Sequence, residues 1–301
     1  MGQKPQDISI LMMLYNHGEW ISETLDALLA QTYQDFNLLI VDDVSSDKSL
    51  EIAKRYQSKF KNCHIIENKK NKGVIENYFC SLQEIERLFP DSGFFMWASP
   101  DDTWSPEYLE KTRQALLDNP QAIVSQTGYE MVFVESSHKT EHVLSTINPQ
   151  TYADAKKVFL SHGPAHAKTH YNGMIQGLIR FSEMRTIFPN DRKLLSAVLC
   201  IEISMLVAML LQGAMIAIPD VLYHRKKLGK FSDKYPNDEF SVGRASLLFR
   251  LKAVCLCLPW LLRINKNKAL EKYIPLLWIR LWYHYVFLFV RQKIKALVTK
   301  R

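Results

Sequence analysis

The sequence predicts an α/β fold, a mostly parallel sheet flanked by helices, followed by a C-terminal helical appendage. Three observations carry this expectation. Within the first 120 residues, short near-continuous apolar runs alternate four times with segments of helical period, the pattern of βαβ units. Each run stops at polar or acidic turn residues, as in sheets that hold ligands at the carboxyl ends of parallel strands. Charge is also divided unevenly. Residues 241–301 hold thirteen Lys or Arg and one acid, Glu271, whereas the first 240 residues hold 25 basic and 30 acidic side chains.

The 301 residues are 47% apolar and 23% charged, a composition that excludes a disordered chain. Five cysteines, an odd number with no zinc-like spacing, read as reduced thiols of a reducing compartment. The opening Met1 to Ile10 lacks a long apolar stretch, so no signal peptide is expected. Neither G-x-G-x-x-G nor G-x-x-x-x-G-K-[ST] occurs, which argues against dinucleotide-dehydrogenase and P-loop versions of the same architecture.

Taken in order, residues 8–14 are an apolar run suited to a buried parallel strand. Tyr15-Asn16-His17-Gly18 is turn chemistry, and Ile21, Leu25, Leu28 and Leu29 mark one helix face. A second strand, Phe36 to Val41, ends in Asp42-Asp43, and Val44-Ser45-Ser46-Asp47 supplies helix-capping residues. Leu50, Ala53, Tyr56 and Phe60 mark the next helix, Cys63 to Glu67 a third strand, and Ile75, Tyr78, Leu82 and Ile85 a third helix. The fourth strand begins at Gly93 and ends in Asp101-Asp102, where Ser105 before Pro106 suits an N-cap and first helical residue. Two adjacent carboxylates at a buried strand end are costly unless something positive sits there. A divalent metal bound to phosphate and a solvated turn are the two readings of that pair.

The segments 14–33 and 35–47 carry Tyr15-Asn16, Gln31-Thr32-Tyr33, Asp35-Phe36 and Val41-Asp42-Asp43-Val44-Ser45-Ser46-Asp47. Together with Asn71-Lys72-Gly73 and Asp101-Asp102-Thr103-Trp104-Ser105-Pro106, these motifs closely resemble family 2 glycosyltransferases of the bacterial surface-polysaccharide type, over about residues 6–225. The resemblance implies a GT-A fold over 1–240, with a nucleotide-binding half at about 1–120 and an acceptor-binding half at about 121–240. It implies that Asp42 or Asp43 accepts a hydrogen bond from the donor's base, with Tyr15 and Glu19 near the nucleoside. Asp102, helped by Asp101, would hold Mn²⁺ or Mg²⁺ against the diphosphate. Ser99 stands where many members have an acid, and Val44 where a glycine is usual, so that turn is expected to avoid positive φ.

Beyond Ala122 the pattern is mixed. Residues 123–125 and 131–135 read as two strands. Residues 136–172 are polar and hold His138, His142, His162, His166 and His170. The last three are spaced four apart, but Gly163-Pro164 interrupts a helix, and the segment reads as an acceptor-binding loop. Residues 194–211 are an apolar helix with one acid, Glu202. The resemblance makes Glu202 the general base of an inverting transfer, with Asp191 as fallback, and places His224 and Arg225 near the diphosphate.

In the tail, 241–301, apolar stretches are interrupted by Arg250, Lys252, Arg280, His284 and Arg291, and the first is broken by Pro259. Basic groups flanking aromatic residues suit an anionic membrane surface rather than a spanning helix. No nucleic-acid module accompanies the charge. The expected partners are a nucleotide-diphosphate sugar, a glycan or lipid-linked acceptor and the membrane, with a homo-oligomer possible. The expected location is cytoplasmic, peripheral on the membrane's inner face. The alternatives are a silent binding or scaffolding subunit and a nucleotidyltransferase of related architecture.

Overall fold

The computed structural model describes residues 7–134, 136–144, 146, 175–195, 202–227, 247–266 and 279. Four parallel strands open the chain: β1 (Ile8–Leu14), β2 (Phe36–Asp42), β3 (Cys63–Glu67) and β4 (Phe94–Ala98). Between them lie α1 (Ile21–Leu29), α2 (Ser49–Gln57) and α3 (Gly73–Leu88). The second half supplies β5 (Thr103–Trp104), α4 (Tyr108–Asp118), β6 (Ala122–Phe133), β7 (His138–His142) and β8 (Leu178–Arg180). It continues with α5 (Phe181–Ile187), α6 (Glu202–Gln212), β9 (Ala214–Lys227) and α7 (Leu247–Ile264). The strands form one sheet in the order β3-β2-β1-β4-β8-β6-β9-β5, with β7 added on β6.

Register explains why the first half places its loops together. Leu14 pairs with Asp42, and Met12 with Ala98, so β1, β2 and β4 end at one edge of the sheet. All seven residues of β2 are buried, and its centre, Leu38 to Val41, is a continuous apolar run, as a parallel strand buried on both faces demands. In α1, the buried Ile21, Thr24, Leu25 and Leu28 follow a 3.6-residue period. Each fully buried Ile or Leu contributes about 2 kcal/mol of transfer free energy, which carries a helix whose N-cap, Trp20, makes no side-chain cap bond.

Several expectations from sequence are corrected. The fourth strand stops at Ala98, and residues 99–102 form a turn before β5, so the two aspartates lie beyond the strand end. Ser105 does not cap α4, which begins at Tyr108. The backbone N–H of Leu109 donates instead to Gln31 Oε1 at 3.0 Å, while Gln31 Nε2 donates to the carbonyls of Ala27 and Ser105. The buried Gln31 therefore ties the end of α1 to the start of α4, which gives the Gln-Thr-Tyr motif a structural task. The two strands expected around 123–135 are one strand, β6. The polar interruption at Gln126-Thr127 is buried, and Gln126 Oε1 accepts from Tyr108 Oη at 2.8 Å and from the N–H of Thr127 at 2.9 Å. Strand β7 lies in the segment expected to be a loop; four of its five residues are not buried, so no apolar alternation marks it in the sequence. Helix α7 continues through Pro259, which lies on its exposed side. His162, His166 and His170 lie outside the described residues.

Candidate functional site

The loop after β1 is fastened to the loop after β2. Asn16 N–H donates to Ser45 Oγ at 3.0 Å, His17 N–H to Ser49 Oγ at 2.7 Å, and Gly18 N–H to Asp47 Oδ2 at 2.8 Å. Asn16 Oδ1 accepts from the N–H of Ser46 at 2.8 Å. A Cβ on Gly18 would sit 3.0 Å from the Asp47 carboxylate, a tight contact that would push the carboxylate aside. Partial burial alone would raise the Asp47 pKa, but hydrogen bonds from Ser49 and Gly18 outweigh it and hold the carboxyl below its ordinary value. Tyr15 is half-buried and Glu19 exposed on the turn into α1.

Both aspartates at the end of β2 are buried and committed to backbone. Asp42 Oδ2 accepts from the N–H groups of Val44 and Ser45, each at 3.1 Å. Asp43 Oδ1 accepts from Asn68 Nδ2 at 2.8 Å and Lys72 N–H at 2.9 Å, and its Oδ2 from Gly73 N–H at 3.0 Å. Asn71 Nδ2 closes the turn on the Asp43 carbonyl at 2.9 Å. The expectation that Val44 avoids positive φ is overturned: its φ is +65°. The Asp42 carboxylate gathers the two successive N–H groups of Val44 and Ser45, and the backbone adopts the left-handed turn although a β-branched side chain pays steric strain there. Asn16, at φ +56°, shares this conformation on the facing loop.

The second aspartate pair is divided. Asp102 is 2% exposed, and its Oδ2 accepts from Tyr223 Oη at 2.5 Å and its Oδ1 from Lys226 N–H at 3.0 Å. Burial first, and then the charge of Asp101, push the Asp102 carboxyl up to about 7, against the opposing pull of Arg225. Asp101 is half-exposed and accepts a hydrogen bond from Ser99 Oγ. Strand β9 holds this turn from several points. Thr103 and Trp104 pair with His224 and Tyr223, and the Trp104 and Tyr223 rings stack at 5.9 Å. Ser105 Oγ lies 3.0 Å from His224 Nε2, and His224 Nδ1 is 3.6 Å from Glu130 on β6. Lys226 pairs with Glu23 and lies over the Trp20 ring at 4.7 Å, carrying the connection back to α1.

The structure thus gathers Tyr15, Glu19, Asp42, Asp43, Asp101 and Asp102 on loops at one sheet edge, and it brings β9 with His224 and Arg225 to the Asp101 turn. Glu202 is the first residue of α6; its side chain lies outside the described residues. Asp191 is exposed, and its Oδ1 accepts from the N–H of Leu194 at 2.7 Å, as a helix cap does. Arg192 pairs with Glu76 of α3 at 2.8 Å. Sequence reasoning missed Tyr223 and Lys226. The only signal was their place beside His224 and Arg225, because a contact between residues more than 120 positions apart leaves no periodicity.

Among the described residues, no group of three or more His, Cys, Asp or Glu side chains could hold a metal ion. Asp101 supplies hard carboxylate oxygen next to the Asp102 carboxylate. Mg²⁺ and Mn²⁺ accept one or two carboxylates when substrate phosphates complete the shell. The residues fit a metal shared with a bound diphosphate and do not form a protein-only cage.

The family model described as Glycosyl transferase family 2 matches residues 9–178, more than half of the chain. An uncharacterised glycosyltransferase of Rickettsia prowazekii (strain Madrid E) is 30% identical over 166 residues, 54% of this chain and 48% of its own length. A putative teichuronic acid biosynthesis glycosyltransferase, TuaG, of Bacillus subtilis (strain 168) is 23% identical over 150 residues, 50% of this chain and 57% of its own. The chain spans about half the length of the curated relatives it matches. Among solved structures, S. aureus TarS 1-349 in complex with UDP-GlcNAc aligns with a TM-score of 0.64 at 16% identity, covering 92% of this chain and 73% of that one. That likeness shows the fold, which is the GT-A arrangement expected from the sequence.

Proposed function

The chain belongs to glycosyl transferase family 2, and from that membership we propose that it is an inverting transferase of bacterial surface-polysaccharide assembly. It moves a sugar from a nucleotide diphosphate onto a glycan or lipid-linked glycan, as a domain covering 1–240 with a basic tail at 241–301. It works at the cytoplasmic face of the membrane as a peripheral protein. The observation that carries this reading is the shared edge: Leu14 beside Asp42 and Met12 beside Ala98 bring three polar loops to one place. The nucleoside lies against the 15–19 and 42–45 loops, and Asp43 shapes its seat by holding the 68–73 turn.

The half-exposed Asp101 faces the diphosphate, and the buried Asp102 fixes its turn from behind; these are the residues that would hold Mn²⁺ or Mg²⁺. When bound, the ion neutralises charge on the leaving diphosphate. Arg225 and His224 add positive charge at the same turn. Glu202 takes the proton from the acceptor hydroxyl, which attacks the anomeric carbon from the face opposite the diphosphate. Asp191 is the weaker candidate, because its carboxylate caps the following helical turn.

The test is turnover of a panel of nucleotide sugars with Mn²⁺ or Mg²⁺, with anomeric configuration read by NMR. Retention at the anomeric carbon, or neither turnover nor nucleotide binding across the panel, overturns the reading. Glu202→Gln is expected to abolish transfer while leaving donor binding intact; full activity in that variant removes Glu202 from the role. A second reading, a silent binding subunit, draws on Ser99 in the acid's place, where its Oγ hydrogen bonds to Asp101. Donor binding without turnover would favour it.

A further inference from the structure

Helix α7 has one face committed to the body of the protein. Cys257, Trp260 and Leu261 are buried at helical spacing. The end of the helix is pinned: Gln212 Nε2 donates to the Ile264 carbonyl at 2.5 Å, Lys266 N–H to the Leu211 carbonyl at 3.1 Å, and Lys266 Nζ pairs with Glu183 at 2.8 Å. A helix already docked this way is expected to turn a polar face outward. Among the described side chains of this helix, the outward ones are instead Cys255, Leu256, Pro259, Leu262 and Arg263. Leu256 and Leu262 are 41% and 45% exposed, and with Ile279 they make three of the seven exposed large apolar side chains among the described residues. Leu256, Pro259 and Leu262, at positions i, i+3 and i+6, therefore line one side of the helix rather than being scattered singly.

Charge selects what covers this face. Residues 241–301 carry thirteen Lys or Arg against one acid. A second copy of the chain would bring the same positive charge to the contact. Anionic lipid headgroups bring the opposite charge, above a layer that accepts leucine and proline side chains. No described helix is long and apolar enough to cross a membrane, so the matching arrangement is a helix lying in the interface. We infer that the outward face of α7, formed by Leu256, Pro259 and Leu262 with Arg263 beside them, docks into the headgroup layer of an anionic bilayer. This inference rests on the peripheral placement proposed above and names the side chains that enter the lipid.

The experiment is co-sedimentation of the full chain with phosphatidylcholine vesicles, with and without phosphatidylglycerol. Binding is expected to need the anionic lipid, to weaken with salt, and to fall about tenfold in Leu256→Ser/Leu262→Ser. Both side chains are substantially exposed, so thermal melting is expected to hold. A polarity-sensitive fluorophore on exposed Cys255, in a chain carrying Cys80→Ala and Cys200→Ala and with Cys257 fully buried, gives a second readout. Burial pushes the Cys63 thiol up to about 12, leaving it slow to label. The probe is expected to shift to the blue on anionic vesicles alone. Absence of binding, equal binding to both lipid mixtures, or unchanged binding in the double variant overturns the inference. So does self-association, read by light scattering, that the same substitutions abolish without any lipid binding. Nucleotide-sugar turnover on the same preparations keeps the two readings apart: vesicle binding without turnover counts against the enzyme assignment, and turnover without vesicle binding against the docking face.

Discussion

Asp42-Asp43 and Asp101-Asp102 look alike in the sequence, yet they occupy different electrostatic worlds. Each pair follows a buried parallel strand, β2 or β4, at the same sheet edge. Asp42 and Asp43 are both buried, and between them they accept from the backbone N–H groups of Val44, Ser45, Lys72 and Gly73. Of the second pair only Asp102 is buried, and its hydrogen-bond partners come from a strand more than 100 residues away. A carboxylate surrounded by nearby backbone donors organises its own loop. A carboxylate held by a distant strand joins two halves of the protein and leaves its neighbour, Asp101, facing outward.

The largest effect separating the pairs is expected at Asp101. Asp101→Ala should lower transfer by roughly 10²–10³-fold while thermal melting barely moves, since the half-exposed side chain is held by a local hydrogen bond from Ser99 Oγ. A variant retaining more than half of wild-type turnover would end the assignment of the outward carboxylate to the diphosphate. Asp43→Ala should act first on stability. Three donors lose one acceptor, at a cost of about 3 kcal/mol in chemical denaturation; a loss below about 1 kcal/mol would show that water replaces the carboxylate. Tyr223→Phe removes one hydrogen bond to a buried carboxylate and should cost about 1–2 kcal/mol, with the effect lost when Asp102 is already Ala.

Asp102 also sharpens the comparison through pH. Its carboxyl is raised to about 7 by burial and by Asp101, so the metal-free native state keeps a proton that the unfolded chain releases at ordinary carboxylate pH. Its contribution to stability therefore falls as pH rises from the ordinary carboxylate range to about 7, and is flat above. Asp102→Asn should remove that slope; an unchanged slope would place the titration elsewhere. The smallest effect is at Val44. Relief of the +65° strain, less the entropy of an added glycine, should make Val44→Gly more stable by about 0.5–1 kcal/mol. A destabilised variant would mean that the side chain contributes packing that outweighs its strain.

How much was legible beforehand follows from the range of each interaction. Strand β1 matches its sequence limits because six of its seven residues are buried and apolar or small, and β3 matches because its β-branched Ile65-Ile66 pair is bounded by turn residues, although it lies at the sheet edge with no fully buried residue. Gln31 was visible as part of a motif, but its task was not, because its partners at 105 and 109 are reached only after the sheet has formed. Ser105 had the sequence of a helix cap and lost that role when His224 and Gln31 arrived from other elements. Strand β6 read as two pieces because buried Gln126 and Thr127 interrupt the apolar pattern, and their hydrogen-bond partners restore continuity only in the folded chain.

By itself, the sequence determined the layered α/β architecture, the edge at which the acidic loops meet and the family to which they belong. These follow from local hydrophobic period, turn chemistry and motif spacing, which act over a few neighbours. Tertiary structure alone decided which carboxylate is buried and which faces outward, that Val44 takes a left-handed turn, and that β9 holds the Asp101 turn in place. Those outcomes depend on desolvation and on hydrogen bonds between residues far apart in the chain, and neither exists until the sheet has closed around them.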